Sequence, residues 1–240
     1  MSDAEGHQAT PAQVAATPNG PYRVQGVARI RWREPVTTTE GEPIAWRQGA
    51  VVVDEDKEHW LCRCGQSANK PFCDSSHRRV GFTASDDADP GTRADRATEY
   101  PGTGLVVSDD RALCAHAGFC ATRASNVWKM TRDTDRTDVQ SLVLAMVQRC
   151  PSGALSVSVG GGDLEPALPV EIGLVPDGPL WLTGGIEVER SDGVKLERRN
   201  RVTLCRCGQS AAKPLCDGSH AKTGFRHRPD EEDDPQNHLV

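Results

Sequence analysis

Nine cysteines fall into three sets along this chain, and each set has a histidine beside it. Cys62, Cys64 and Cys73 are followed by His77. Cys114 and Cys120 flank His116 and are joined later by Cys150. Cys205, Cys207 and Cys216 are followed by His220. The first and last sets share one spacing, Cys-x-Cys-x8-Cys-x3-His, in runs that differ only at Asn69/Ala212, Phe72/Leu215 and Ser75/Gly218. Four soft-to-borderline donors this close in sequence can surround one metal centre without help from elsewhere. No cysteine is left over, so the pattern predicts three metal centres.

A chain organised in this way is expected to be modular, and its composition agrees. With 240 residues, 23 Gly, 16 Pro and only 5% aromatic residues, it suits several small loop-rich units stapled by metals better than one large core. A formal net charge of −6 argues against nucleic acid as the main partner. No apolar run approaches membrane-spanning length, and the N-terminus lacks the apolar core of a signal peptide. No membrane association is therefore expected, and the cytoplasm is the expected location. In that reducing compartment cysteines read as ligands rather than disulfides.

Residues 1–19 show no periodicity and are expected to be a disordered tail. From Gly20-Pro21 a strand pattern begins, with Tyr22, Val24, Ala28, Ile30 and Trp32 alternating with Arg23, Gln25, Arg29, Arg31 and Arg33. Gly41 to Gly49 reads as turn-rich, Ala50 to Val53 as a second strand, and Thr83 to Thr98 as a linker. Leu105 to Val107 and Ala154 to Val159 are expected strands. Asp138 to Gln148 is an expected helix, capped by Thr137 or Asp138, with Val139, Leu142, Val143, Met146 and Val147 on its apolar face. Gly178 to Gly184 repeats Gly20 to Gly26, and Gly224-Phe225 repeats Gly81-Phe82. Comparing Gly20 to Cys62 with Gly178 to Cys205, the first copy carries about fifteen extra residues. The expected domains are 20–88, 99–160 and 170–228, with an acidic tail at 229–240.

The outer runs, Cys-Arg-Cys-Gly-x-Ser…Lys-Pro-x-Cys-Asp-Gly/Ser-Ser-His, closely resemble the CDGSH iron–sulfur domain family. The resemblance implies a [2Fe–2S] cluster on a small β-rich fold, held by three cysteines and a histidine. Carried over, the ligands are Cys62, Cys64, Cys73 and His77 in the first copy, and Cys205, Cys207, Cys216 and His220 in the second. The first copy departs from the family at Ser75, where glycine would reach positive φ at lower cost. Cys-x-Cys is natural for chelating one iron of a two-iron cluster, leaving Cys73 and His77 for the other. A zinc site with the same donors is the competing reading, although zinc commonly takes Cys-x2-Cys knuckles. A neutral imidazole makes a cluster less negative and easier to reduce, and it brings a pH dependence. Within the loops, Ser67, Lys70 and Asp74, with Ser210, Lys213 and Asp217, are expected to support the ligands. Asp74 and Asp217 would do so by capping a short helix, and the lysines by offsetting negative charge.

The middle set is similar to divergent single-cluster ferredoxins: Cys114-Ala115-His116-Ala117-Gly118-Phe119-Cys120, then Cys150-Pro151-Ser152-Gly153-Ala154-Leu155. Against the bacterial Cys-x2-Cys-x2-Cys pattern, Ala117 stands where a ligand would be. Three cysteines suit a [3Fe–4S] cluster, whereas a [4Fe–4S] cluster needs a fourth ligand, for which His116 is the candidate. His116 reads equally well as a hydrogen-bond donor near the cluster. Trp32, Trp46, Trp60, Trp128 and Trp181 read as packing, and His7, His59, His227 and His238 lie outside any ligand spacing.

The fold class expected is α+β, with two β-rich CDGSH-type domains flanking a ferredoxin-like α/β domain. No phosphate loop, nucleophile elbow or dinucleotide fingerprint occurs, so no enzyme is expected. The expected function is electron transfer with a redox partner protein. The alternative is cluster storage, transfer to an apo iron–sulfur acceptor, or redox sensing. The outer domains are expected to pair as an internal pseudo-dimer within a monomer, with Arg29 and Arg31 of one strand facing Glu187 and Glu189 of its counterpart.

Overall fold

The computed structural model describes residues 10–229. The first sheet takes β1 (Gln13–Ala16), β2 (Tyr22–Gln25) and β5 (His59–Leu61) from the N-terminal module; between them in the chain run β3 (Arg29–Thr37) and β4 (Pro43–Asp54). The C-terminal module supplies β10 (Glu171–Leu174), β11 (Leu180–Thr183), β12 (Glu187–Glu189) and β13 (Arg201–Leu204). The central module contains β6 (Thr98–Pro101), β7 (Val106–Asp109), β8 (Leu155–Val159) and β9 (Gly162–Asp163). Its helices are α3 (Val127–Met130) and α4 (Thr137–Gln148), while α1 (Ser76–Arg79) follows the first ligand loop and α2 (Arg93–Arg96) precedes β6.

The outer modules exchange strands reciprocally. One sheet runs β12-β1-β2-β5 and the other β13-β11-β10-β3-β4, so each contains one strand, or one hairpin, of the other module. β12 lies parallel to β1 with Val188 opposite Val14, and β3 lies parallel to β10 with Ile30 opposite Ile172. The apolar residues this brings inward form one shared core: Val14, Tyr22, Val24 and Ile30 cluster with Ile172, Leu174, Leu182 and Leu204. Burying each such side chain is worth about 1.5–3 kcal/mol, so neither half keeps its core without the other.

Several expectations are corrected here. Within the proposed tail 1–19, residues 13–16 are a strand between β2 and β12, because Val14 and Ala16 alternate inward; residues 1–9 lie outside those described. The single strand expected from Tyr22 to Trp32 is two, broken at Gly26 (φ 62°), where an added Cβ would sit 2.2 Å from the Thr10 carbonyl oxygen. The stretch 43–49 is strand rather than turn and lengthens the β3–β4 hairpin.

The proposed linker is a strap rather than a free connection. Ala88 is 2% exposed and donates its amide to the Lys213 carbonyl at 3.0 Å. β3 and β12 pair with β10 and β1 rather than with each other, so the expected Arg–Glu pairs do not form. Arg29 pairs with Asp54 at 2.9 Å, Arg31 bonds Gln48 and the Gly49 carbonyl, Glu187 pairs with Lys195 at 2.7 Å, and Glu189 accepts from Gln13. Apolar burial, not charge alternation, joins the two halves.

The central module is α/β, with sheet order β6-β7-β8-β9 and α4 against β8. Val143, Met146 and Val147 of α4 are buried as expected, while Leu142 is 43% exposed. The α4 N-cap is Arg136, with no side-chain cap; Asp138 pairs with Arg136 at 2.8 Å instead of capping. The extra residues of the first copy form the tip of the β3–β4 hairpin, which reaches over this module. Trp46 stacks on Phe119 (4.8 Å between centroids), meets Trp181 at 4.7 Å and donates to the Arg149 carbonyl at 2.9 Å. Of the acidic tail only Pro229 is described; residues 230–240 lie outside the described chain.

Candidate metal centres

Each outer ligand loop starts where a short strand ends: β5 leads into Cys62 and β13 into Cys205. Inside the loop the donors come in pairs. Cys62 and Cys64 Sγ stand 3.8 Å apart, and Cys73 Sγ stands 3.5 Å from His77 Nδ1. In the second copy Cys205 and Cys207 Sγ are 3.6 Å apart, and Cys216 Sγ is 3.3 Å from His220 Nδ1. All nine cysteines are free. Among the described residues no group of three His, Cys, Asp or Glu side chains converges as a single ion would require.

The side chains expected to support these ligands do so chiefly by bracing the loop. Ser67 and Ser210 donate to the Phe72 and Leu215 carbonyls, each at 2.7 Å, and Lys70 and Lys213 donate to the Ser67 and Ser210 carbonyls. Asp74 accepts the amides of Ala68 and Ser76, and Asp217 those of Ala211 and Ser219. These hydrogen bonds from Ser76 and Ala68 hold the Asp74 carboxyl well below the usual range. The residue that begins each short helix is Ser75 or Gly218, and the aspartate one step earlier carries the cap.

Electrostatics favours the thiolate at one cysteine of each Cys-x-Cys pair and opposes it at the other cysteines of the loop. The Cys62 thiol is drawn down to about 6, chiefly by its neighbour Cys64, with a smaller contribution from Lys70, and Cys205 is drawn down to about 6 by Cys207. The partners Cys64 and Cys207 are pushed up by the same contact and by burial, so each pair ionises one thiol first. Burial raises Cys216 to about 12. Burial, then the Arg206 charge, lowers His220, which keeps its ring neutral and available to a metal.

The loops meet at the pseudo-twofold axis. A Cβ on Gly65 would lie 2.6 Å from the Cys207 carbonyl oxygen, and one on Gly208 would lie 2.7 Å from the Cys64 carbonyl oxygen. These two glycines, with φ of 77° and 80°, allow the ligand backbones to touch. Tyr22 adds a cross-module contact, its hydroxyl 2.7 Å from the Cys205 carbonyl oxygen.

In the central module Cys114, Cys120 and Cys150 line a cavity of about 140 Å³ together with Phe119, Trp128 and Leu155. Three sulfur donors on its wall fit an iron–sulfur cluster. Burial, then the neighbouring Cys150 and Cys114, pushes the Cys120 thiol up. Arg111 Nη1 lies 3.5 Å from Cys114 Sγ and its guanidinium stands over the Trp128 ring. His116 lines the same cavity with φ 56°, and its Cβ and Cδ2 lie against Gly218 of the second outer loop.

That contact explains the one departure of the first copy. Ser75 and Gly218 both take left-handed backbone, φ 68° and 83°. At Gly218 an added Cβ would meet His116 Cδ2 at 3.0 Å and the Ala115 carbonyl oxygen at 3.2 Å. Ser75 is exposed and lines the open cavity beside Asn19, Gly20 and His77. Ser75→Gly should therefore stabilise the protein by about 0.5–1 kcal/mol, the left-handed penalty less glycine's entropy. Gly218→Ser should destabilise it by about 1–3 kcal/mol through added overpacking. Urea midpoints of the two variants check both signs.

Sequence reasoning missed the side chains that hold the centres together. Arg201, Arg63, Asp86, Tyr22 and Trp46 carry no ligand spacing, and only the long-range pairings show their use. His227, given no role, stacks on Trp32 at 4.8 Å.

Comparison with known families gives matches on all three modules. Residues 19–78 and 177–221 match the model described as iron-binding zinc finger CDGSH type, and residues 100–160 match the divergent 4Fe-4S mono-cluster model. No curated protein matches the chain. The matches describe β-rich outer modules and a central ferredoxin-like module in a multi-module iron–sulfur architecture of electron-transfer type. Such modules are non-catalytic electron-transfer or structural units, consistent with a non-enzymatic protein. Among the described residues no helix is long and apolar enough to cross a membrane.

Proposed function

We infer that this chain of two CDGSH-type segments around a mono-cluster segment is a three-centre electron-transfer protein of the cytoplasm. Cys62, Cys64, Cys73 and His77 would hold one [2Fe–2S] cluster, and Cys205, Cys207, Cys216 and His220 a second. Cys114, Cys120 and Cys150 would hold a [3Fe–4S] cluster, or a [4Fe–4S] cluster with His116 as fourth ligand. An iron–sulfur cluster supplies a one-electron redox centre when bound. The observation that carries the reading is contact between the loops that bear the donors. Gly65 and Gly208 bring the outer ligand loops together, and His116 of the central loop lies against Gly218. Three donor-bearing loops in contact suit one-electron exchange within a single chain, and the strand exchange supports the monomer as the working unit.

The expected preparation is red-brown and carries iron with acid-labile sulfide, and electron paramagnetic resonance separates a three-iron from a four-iron centre. A colourless protein with stoichiometric zinc would reject the reading. His77→Cys and His220→Cys should each lower one reduction potential, because a thiolate adds negative charge. Unchanged potentials in both variants would remove the histidines from the ligand set.

A second reading, cluster transfer or sensing, is favoured by one observation. Cys73 and His77 line an open cavity of about 740 Å³ with Trp60 and Phe82, so this pair is reachable from solvent. Transfer of iron and sulfide to an apo ferredoxin from the first site, but not from the second, would support it.

A further inference from the structure

The last described residues form one wall of a groove that neither reading uses. The groove has a volume of about 440 Å³; Lys70 and Pro71 of the first ligand loop form its other wall, with Trp32 beneath. Arg226, His227 and Arg228 face them from the C-terminal module. The floor is apolar, with Trp32 4% exposed and stacked on His227. The rim is cationic. Arg226 and Arg228 side chains are 69% and 71% exposed and share one carboxylate, Asp177, at 3.9 Å and 2.5 Å. The Lys70 ammonium bonds a neutral carbonyl, that of Ser67, at 2.6 Å. Burial and the Arg206 charge push His227 down to about 4, so it adds no charge at neutral pH. Among the described residues three cations thus face one acid.

This patch is placed where charge matters. The chain as a whole carries a formal charge of −6, which repels an acidic protein at a distance. A local positive rim reverses that sign at one spot and orients the approach. Its wall is part of the Cys64–Cys73 loop, so whatever docks there stands beside the first donor set. An exposed charged rim around an apolar floor is the form of a transient protein interface. A site for a small anion would instead converge donors on one point.

We propose that this groove docks the acidic face of a small protein electron carrier. The proposal rests on the electron-transfer reading above. The test uses the full-length protein with its iron in place and an oxidised, acidic plant-type ferredoxin as probe, with association followed by microscale thermophoresis.

Binding is expected at about 20 mM salt and its loss at about 500 mM, where screening reaches a few ångströms. Arg226→Gln/Arg228→Gln should weaken binding on the order of fivefold to tenfold, the loss of two exposed charges at contact. Arg226→Lys/Arg228→Lys should restore it to within about twofold, on the same charge argument. Unchanged binding in the glutamine variant, or equal binding of a basic c-type cytochrome, overturns the proposal. So does phosphatidylserine-vesicle binding through these arginines without ferredoxin binding. Ferredoxin binding that appears only when Asp230, Glu231, Glu232, Asp233 and Asp234 are replaced by their amides would give the groove to the chain's own acidic run. A protein that keeps its iron and sulfide yet ignores the carrier defeats the docking alone; a protein without them defeats the electron-transfer reading.

Discussion

Replacing Arg201 with methionine should lower the unfolding free energy by about 3–5 kcal/mol and empty the central site before either outer one. The side chain is 1% exposed at the start of β13, the strand that runs straight into Cys205. Its Nη1 donates to the carbonyls of Val147, Gln148 and Cys150 at 2.9, 3.1 and 2.7 Å, and its Nη2 to that of Leu155 at 3.2 Å. Helix α4 ends at Gln148, so these include carbonyls the helix itself leaves without partners. A cation there also suits the negative end of the helix dipole. One guanidinium therefore closes α4, fixes the backbone of Cys150 and anchors the strand leading to the C-terminal ligand loop.

The Val147 and Cys150 carbonyls keep the Cys150 and Gly153 amides, but methionine takes the guanidinium from the Gln148 and Leu155 carbonyls, each loss costing about 1–3 kcal/mol. Lysine, with a single compact ammonium, should recover less than half of the loss. Glu165, the partner carboxylate, is 30% exposed, so Glu165→Gln should cost only about 1 kcal/mol. Urea unfolding with iron analysis of all three variants checks the order. A methionine variant that unfolds at the wild-type midpoint would show that the carbonyls find other partners.

How much of this was legible in the sequence depends on the range of the interaction. Cys-x-Cys-x8-Cys-x3-His is local, so the outer donor sets were readable, and the family models match both segments. The inner pairing of Cys62 with Cys64 and of Cys73 with His77 follows from that spacing. The strand exchange was not readable strand by strand. A two-residue period tells which face of β3 is buried but not whether β10 or β12 lies beside it. Val14 lay in a short stretch poor in large apolar side chains, and only its position between β2 and β12 makes it core. Nothing local in the sequence marks Arg201 or Arg63 as buried. Their partners lie far off in sequence, Cys150 for one and Asp86 for the other. The Gly41–Gly49 stretch read as turn because its glycines hid a hairpin whose length is set by the central module it reaches.

Asp86→Ala should cost about 3–5 kcal/mol, although Asp86 sits in a segment that reads as linker. Arg63, between the ligands Cys62 and Cys64, has a side chain 0% exposed, and Asp86 is 1% exposed. The guanidinium donates to Asp86 and, at 3.1 Å, to the Thr17 carbonyl, with its carbon 5.5 Å from the centre of the Tyr22 ring. The other oxygen of Asp86 accepts the Ser191 amide at 2.7 Å, and Arg190 donates to the Ala88 carbonyl at 2.7 Å. The strap thus ties the first ligand loop to the C-terminal module through one buried carboxylate. Removing it leaves a buried cation with no counter-charge beside two ligand thiols. The second copy solves the same problem differently. Arg206 has carbonyls of Gly178 and Val175 as acceptors, and burial lowers it to about 10. Among the described residues no carboxylate bonds it directly, Asp177 acting only through its charge, so the two sites should respond unequally. Asp86→Ala should destabilise the N-terminal site first, seen as faster bleaching of one outer-site iron–sulfur signal while the other persists. Replacing both partners, Arg63→Met with Asp86→Leu, should recover most of the stability, because apolar residues of similar volume often match a buried pair. If the single variant loses less than about 1 kcal/mol, or the double variant is worse than the single, the pair is not what holds the strap.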